Sequence, residues 1–242
     1  MERVRRELSG LLDLLLPPAC PLCGQEQRCD GICPNCLAGF HPIVSPFCPR
    51  CSLPYPTDKG TDHQCEACLR EEPSFVRVQA VGVYEETLKK AVQSFKYNGA
   101  VHLDRPLGRL LSRVLEENPG SLTPDLIIPV PLHRTRLRQR TYNQSLLLAR
   151  ILGKEWQIPV AARYLVRTRP TPPQQGLNAK IRQHNMKGAF ALQGEVTGKR
   201  ILLVDDVLTT GATARECSRV LLKGGADEVA VAVLGRARRH SY

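Results

Sequence analysis

No apolar run in this chain approaches the roughly 20 residues that a membrane-spanning helix needs. The Leu-rich stretch at 11–16 is broken by Asp13, and Pro17 and Pro18 stand where a signal cleavage site wants small residues. Residues 2–16 therefore read as a short amphipathic helix, and the protein is expected to be cytoplasmic. Aromatic side chains are scarce, at 5% of the composition, which leaves little material for a base-stacking platform. Acidic residues are nearly missing from one window: residues 133–187 hold 12 Lys/Arg and a single acid, Glu155. Cysteine is absent beyond residue 68 except for Cys217, which reads as a small packing residue on a helix. That absence excludes a disulfide scaffold for the second part of the chain.

What is present is divided unevenly. Residues 1–75 carry 7 Lys/Arg and 10 Asp/Glu, and residues 76–242 carry 27 and 13, so the net charge of +11 belongs to the second part. A basic window of this kind suits a polyanion. The length of 242 residues allows one large domain or two small ones, and the 42% hydrophobic content supports a real core.

Four C-x-x-C knuckles occupy residues 20–68: Cys20 and Cys23, Cys33 and Cys36, Cys48 and Cys51, Cys65 and Cys68. The spacing lets one tight turn offer two thiolates to a tetrahedral ion, and two turns complete a site of four thiolates. One or two structural Zn²⁺ ions are expected. The closed coordination leaves no open position for catalysis. Sequential pairing would join the first knuckle to the second and the third to the fourth. A cross-braced arrangement satisfies the spacing equally, and Cys29, His41 and His63 are spare ligands. The organisation expected is a short helix in 1–19, a metal module over 20–70, a linker at 71–75 and an α/β domain over 76–242.

Within that domain, strands are expected at 75–84, 125–131, 164–167, 201–204 and 228–234, and helices at 87–97, 106–117 and 142–156. Arg134, Arg136, Arg138 and Arg140 alternate along the chain and cannot all share one helix face, so this segment reads as a loop. Arg236, Arg238, Arg239 and His240 read as a solvated basic tail.

The most telling run is Ile201-Leu202-Leu203-Val204-Asp205-Asp206-Val207-Leu208-Thr209-Thr210-Gly211-Ala212-Thr213. Four apolar residues make a buried parallel strand. Two acids stand at its carboxyl end, where open α/β sheets bind ligands. A Thr- and Gly-rich turn that opens a helix presents N–H groups and hydroxyls to a phosphate. The acids suit ribose hydroxyls or a hydrated Mg²⁺.

All thirteen positions resemble the signature of type I phosphoribosyltransferases, which bind phosphoribosyl pyrophosphate (PRPP). The resemblance implies an α/β fold: a parallel sheet with flanking helices, here with a small N-terminal zinc-binding module of cysteine knuckles. It implies that Asp205 and Asp206 face the ribose, and that Val207, Leu208, Thr209, Thr210, Gly211, Ala212 and Thr213 wrap the 5′-phosphate. It also implies PRPP with Mg²⁺ as ligand, with His133, Arg134, Arg136 and Arg138 on the diphosphate. The Pro- and Gln-rich loop at 168–178 would close over the site, bringing in Arg167, Arg169, Gln174 and Gln175.

Three further segments narrow the resemblance: Val130-Pro131-Leu132-His133 with Asn143-Gln144, the run 165–178, and 182–190. Together with the Cys-rich module they are similar to the ComF family, over about residues 15–240. That family is implicated in uptake of single-stranded DNA during natural transformation and has relatives tied to gluconate utilisation. It implies single-stranded DNA and a DNA-translocating helicase as partners. Two functions follow from it: phosphoribosyl transfer with Asp205 and Asp206 as catalytic acids, or non-catalytic strand binding or helicase docking with a vestigial PRPP site.

Overall fold

The computed structural model describes residues 18–27, 31–97, 99–117, 123–169 and 186–238. The expected N-terminal helix, Cys29, Gln174, Gln175 and most of the 168–178 loop lie outside these residues.

Among the described residues the knuckles come first, with two short helices, α1 (Pro34–Ala38) and α2 (Glu66–Arg70). Strand β1 (Arg77–Val83) leads to α3 (Glu86–Tyr97) and α4 (Asp104–Glu117). Then follow β2 (Leu126–Pro129), α5 (Arg134–Arg140) and α6 (Gln144–Trp156). A two-stranded antiparallel ribbon, β3 (Leu165–Arg167) and β4 (Phe190–Leu192), precedes β5 (Arg200–Leu208), α7 (Ala212–Lys223) and β6 (Glu228–Arg236). The main sheet has the order β1-β6-β5-β2, and all three pairings are parallel.

Side chains alternate across these strands and so build two core layers. Leu202 and Val204 of β5, with Ala230, Ala232 and Leu234 of β6, meet α3, α4 and α6 through Leu88, Phe95, Leu107, Leu111 and Leu148. Ile201 and Leu203, with Val229, Val231 and Val233, meet α7 and the β3–β4 ribbon through Cys217, Leu221, Leu165 and Phe190. Cys217 is fully buried there, as a packing residue should be.

This second layer also contains Cys48, Cys51, Leu53, Cys65 and Cys68, so half of the cysteine module lies in the main core. Residues 71–75, expected as a linker, are held on both sides: Phe75 is 1% exposed, and the Glu71 carbonyl accepts from Arg215 at 2.7 Å. On the other side of the module the Val83 N–H donates to the His41 carbonyl at 2.8 Å. A Cβ on Gly82 would stand 2.4 Å from that carbonyl, so the close approach requires glycine.

Three readings of the sequence are corrected. The segment after β2 is a helix rather than a loop: His133 caps α5 by accepting from Thr135 N–H, and Thr141 ends it in the left-handed region. Alternation does not forbid a helix here. It sends Arg136 and Arg140, four residues apart, to the inner side and Arg134 and Arg138 to solvent. The signature strand does not stop at Val204 but continues to Leu208, so both acids lie within β5. Arg236 is no tail residue: it ends β6 and is 4% exposed, and Arg238 pairs with Glu85 at 3.1 Å.

Candidate functional site

A cavity of about 710 Å³ opens at the carboxyl ends of β5 and β2. The crossover between these neighbouring strands leaves this crevice, as it does in other open parallel sheets. Asp205, Asp206, Val207, Thr209 and Thr213 form one wall, Arg136 and Arg140 of α5 another, and Lys96 and Tyr97 close the end of α3. Arg167, at the end of β3, faces the same space.

The two acids are held differently. Asp205 Oδ1 accepts from Ser145 Oγ at 3.0 Å and from the Asp206 N–H at 2.9 Å. Burial, with the Asp206 charge beside it, pushes its pKa up to about 7. Asp206 is 8% exposed and pairs with Lys96 Nζ at 2.8 Å. Burial works against the Lys96 ammonium, but the Asp206 carboxylate outweighs it and holds the pKa above its ordinary value. Lys96 reaches this place because α6 grips the end of α3. The Tyr142 hydroxyl donates to the Phe95 carbonyl at 2.6 Å, and Gln144 Nε2 to the Lys96 carbonyl at 3.4 Å. Asn143 caps α6 through Ser145 N–H while its Nδ2 donates to the Val130 carbonyl, which locks Ser145 under Asp205.

The raised Asp205 pKa sets a pH dependence. In the unfolded chain this carboxyl ionises near ~3.9, while folded it ionises at about 7. Between those values the folded chain keeps a proton that the unfolded chain has released. Its contribution to stability is full below about 4 and is lost as pH rises through about 7. Asn at 205 keeps the Oδ1 acceptor without the charge. The stability advantage of Asp205→Asn over the parent should grow by about 4 kcal/mol between pH 4 and pH 8 in urea titrations. A gap that does not change with pH would contradict this assignment.

The arginine wall is crowded with cations. Burial, with Arg140 beside it, lowers the pKa of Arg136, and burial, with Arg136 beside it, lowers that of Arg167. Both remain charged at neutral pH. Arg140 stacks over the Tyr97 ring at 4.7 Å and donates to its hydroxyl at 3.0 Å, while Arg167 lies 5.5 Å over Phe190. Three guanidiniums facing one cavity suit a multiply charged anion. Of the expected anion contacts, Arg136 lines this space, whereas His133, Arg134 and Arg138 are not among its walls. Arg169 turns to the Lys187 carbonyl at 2.9 Å.

Beside the acids, a small pocket is lined by Val207, Leu208 and Thr209 and by Gly211 to Ala214. Gly211 at φ 80° turns the chain into α7, with the Ala212 N–H held by Thr210 Oγ1 at 3.4 Å. Only a residue tolerant of positive φ makes this turn cheaply, which explains the glycine.

The cysteines form two clusters, Cys20/Cys23/Cys33/Cys36 and Cys48/Cys51/Cys65/Cys68, with the four Sγ atoms of each within 4.8 Å of one another. The pairing is therefore sequential, not cross-braced. Adjacent sulfurs lie 3.7 Å apart across each pair of knuckles, close to the ~3.8 Å edge of a tetrahedron built on Zn–S bonds of ~2.3 Å. Knuckle N–H groups point at the sulfurs, Cys33 to Cys20 and Cys65 to Cys48. This donor set fits structural zinc in both places. His41 pairs with Glu86 and His63 stacks on Tyr55, so neither belongs to a cluster.

Sequence reasoning misses Lys96 and Arg140 as walls of the cavity and Ser145 as the buried partner of Asp205. Their roles depend on which helix ends the sheet brings together, and no local motif marks that.

The chain matches the double zinc ribbon domain over residues 11–69 and the phosphoribosyl transferase domain over residues 143–242. It is 36% identical to Competence protein F of Haemophilus influenzae, over 85% of this chain and 96% of the relative. It is 33% identical to DNA utilization protein YhgH of Escherichia coli K12, over 92% and 99% of the two chains. Among solved structures, the glutamine PRPP amidotransferase of B. subtilis superposes on 55% of this chain and 26% of its own, with a TM-score of 0.38 and 21% identity. No helix among the described residues is long and apolar enough to cross a membrane. With a third of positions shared over almost the full length of both partners, the chain belongs to the ComF family of competence and DNA-utilization proteins, in which a double zinc ribbon is joined to a phosphoribosyltransferase domain.

Proposed function

We propose that the cavity binds PRPP with Mg²⁺ and transfers its phosphoribosyl group to an acceptor during the handling of incoming DNA. The observation that carries this reading is the meeting, in one cavity, of the paired acids, the Thr-Gly turn and the inward-facing arginines. Asp205 and Asp206 hold the ribose hydroxyls. Backbone N–H groups and hydroxyls from Thr209 to Thr213 take the 5′-phosphate, and Arg136, Arg140 and Arg167 take the diphosphate. Asp205 and Asp206 would hold Mg²⁺ beside the ribose, and the ion would supply positive charge against the diphosphate. The C1–O bond breaks with its electron pair leaving on pyrophosphate, and the arginines stabilise that charge. The acceptor forms the new bond at C1 and gives up its proton, and Asp205, with a pKa of about 7, is suited to receive it. Competence and DNA utilization in the relatives' names give the context, and the partner in this reading is DNA, in single-stranded form as the family resemblance implies.

The test is a pair of titrations with PRPP and with ribose 5-phosphate, which lacks the diphosphate. Arg136→Ala is expected to weaken PRPP by roughly 10-fold or more, the worth of one charge-assisted contact, and to leave ribose 5-phosphate unchanged. Arg134→Ala, on the solvent side of α5, should alter neither. Equal losses for both ligands would remove Arg136 from the diphosphate.

A further inference from the structure

Arg236 stands outside the cavity and is one of the few buried charges among the described residues. Its guanidinium joins two places that no strand or helix connects. Nη1 donates to the Leu208 and Thr209 carbonyls at 3.2 and 2.7 Å, where β5 passes into the phosphate turn. Nε donates to the Cys51 carbonyl at 2.7 Å, and Nη2 lies 3.6 Å from Cys51 Sγ. A second arginine makes the same connection from the far side of the turn. Arg215 sits in the first turn of α7, with its N–H on the Gly211 carbonyl at 2.8 Å. Its guanidinium reaches the Glu71 carbonyl at 2.7 Å and Cys68 Sγ at 3.9 Å. Cys51 and Cys68 belong to the two knuckles of one four-cysteine cluster. Zn²⁺ bound by four thiolates carries two negative charges, which suit two guanidiniums.

We propose that Arg236, seconded by Arg215, is a positioning residue that makes the order of the 208–213 turn depend on metal at the Cys48/Cys51/Cys65/Cys68 site. An event that removes that metal, such as thiol oxidation or chelation, would loosen the anion-binding turn from behind. The inference concerns the turn whatever anion it takes. Its readouts require neither ligand nor turnover, so failure of the PRPP reading and failure of this one are separate results.

The experiment follows amide exchange of residues 208–213 and zinc release from each site, the latter resolved by alkylation of individual cysteines under a chelator. In Arg236→Met and Arg236→Lys, the turn is expected to exchange about 10-fold faster and zinc to leave the second site about 10-fold faster, the usual scale for loss of an outer-shell partner. The Cys20/Cys23/Cys33/Cys36 site serves as internal control and should keep its parent rate. Limited chelation of the parent protein at low temperature, with circular dichroism showing the sheet retained, should raise turn exchange to the same degree. If Arg236→Met fails to fold, Arg236→Lys and the chelation arm carry the test. Parent rates for both readouts in either folded variant would overturn the proposal. So would a stripped second site with unchanged turn exchange.

Discussion

Cys48→Ser is expected to lower the Tm by about 10 °C or more, while Cys23→Ser moves the main transition by less than about 3 °C. The knuckles are alike in sequence and differ in where the fold puts them. Cys48, Cys51, Cys65 and Cys68 are 0%, 6%, 5% and 2% exposed and share a core layer with Phe75, Val78, Leu203 and Val231. Loss of one ligand there gives up metal-binding free energy that is also folding free energy, and it leaves a hydroxyl in an apolar layer. Together these amount to at least ~3 kcal/mol, and for a chain of this size each kcal/mol is worth about 2–4 °C. Cys23 is exposed, and among the described residues its cluster meets the main core through flanking residues such as Leu22, Ile32, Leu37 and Phe40. Its loss should unfold the first ribbon locally and leave the sheet standing. Scanning calorimetry with zinc content measured on each variant checks this. Equal shifts for the two variants would mean that the clusters contribute alike and that the burial difference has no energetic weight.

The signature run is the easiest part of the fold to recognise, because a buried parallel strand needs consecutive apolar residues and a phosphate turn needs glycine at positive φ. The knuckles declare their ligands for the same local reason. Their pairing does not follow from spacing and requires the three-dimensional positions of the sulfurs. Helix α5 is hidden because alternating arginines cannot share a face, yet a helix with its two faces in different surroundings has no such need. Lys96 carries no signal as the partner of Asp206: 110 residues separate them, and the contact exists only because Tyr142 and Gln144 pin the end of α3. Arg236 is hidden for a related reason. A basic residue near the end of the chain is usually solvated, and only the burial of its stem beside Cys51 and Thr209 turns it into a core residue.

The central claim is that Asp205 and Asp206 form the ribose end of a PRPP site, and one calorimetric titration tests it most directly. PRPP with Mg²⁺ is added to the parent protein and to Asp205→Asn/Asp206→Asn. Two hydroxyls bound by carboxylates are worth about 1.5–3 kcal/mol each, so the double variant should lose about 100-fold or more in affinity. Asn at 206 also deprives Lys96 of its carboxylate, a buried pair broken from one side. In the single variant Asp205→Asn, Ser145 and the Asp206 N–H can both still donate to Oδ1, so it serves as the folded control. The account predicts measurable PRPP binding by the parent, weakened in Asp205→Asn and lost in the double variant. No binding by the parent, or equal affinity in all three folded proteins, would contradict it and leave the signature strand a structural feature of the sheet.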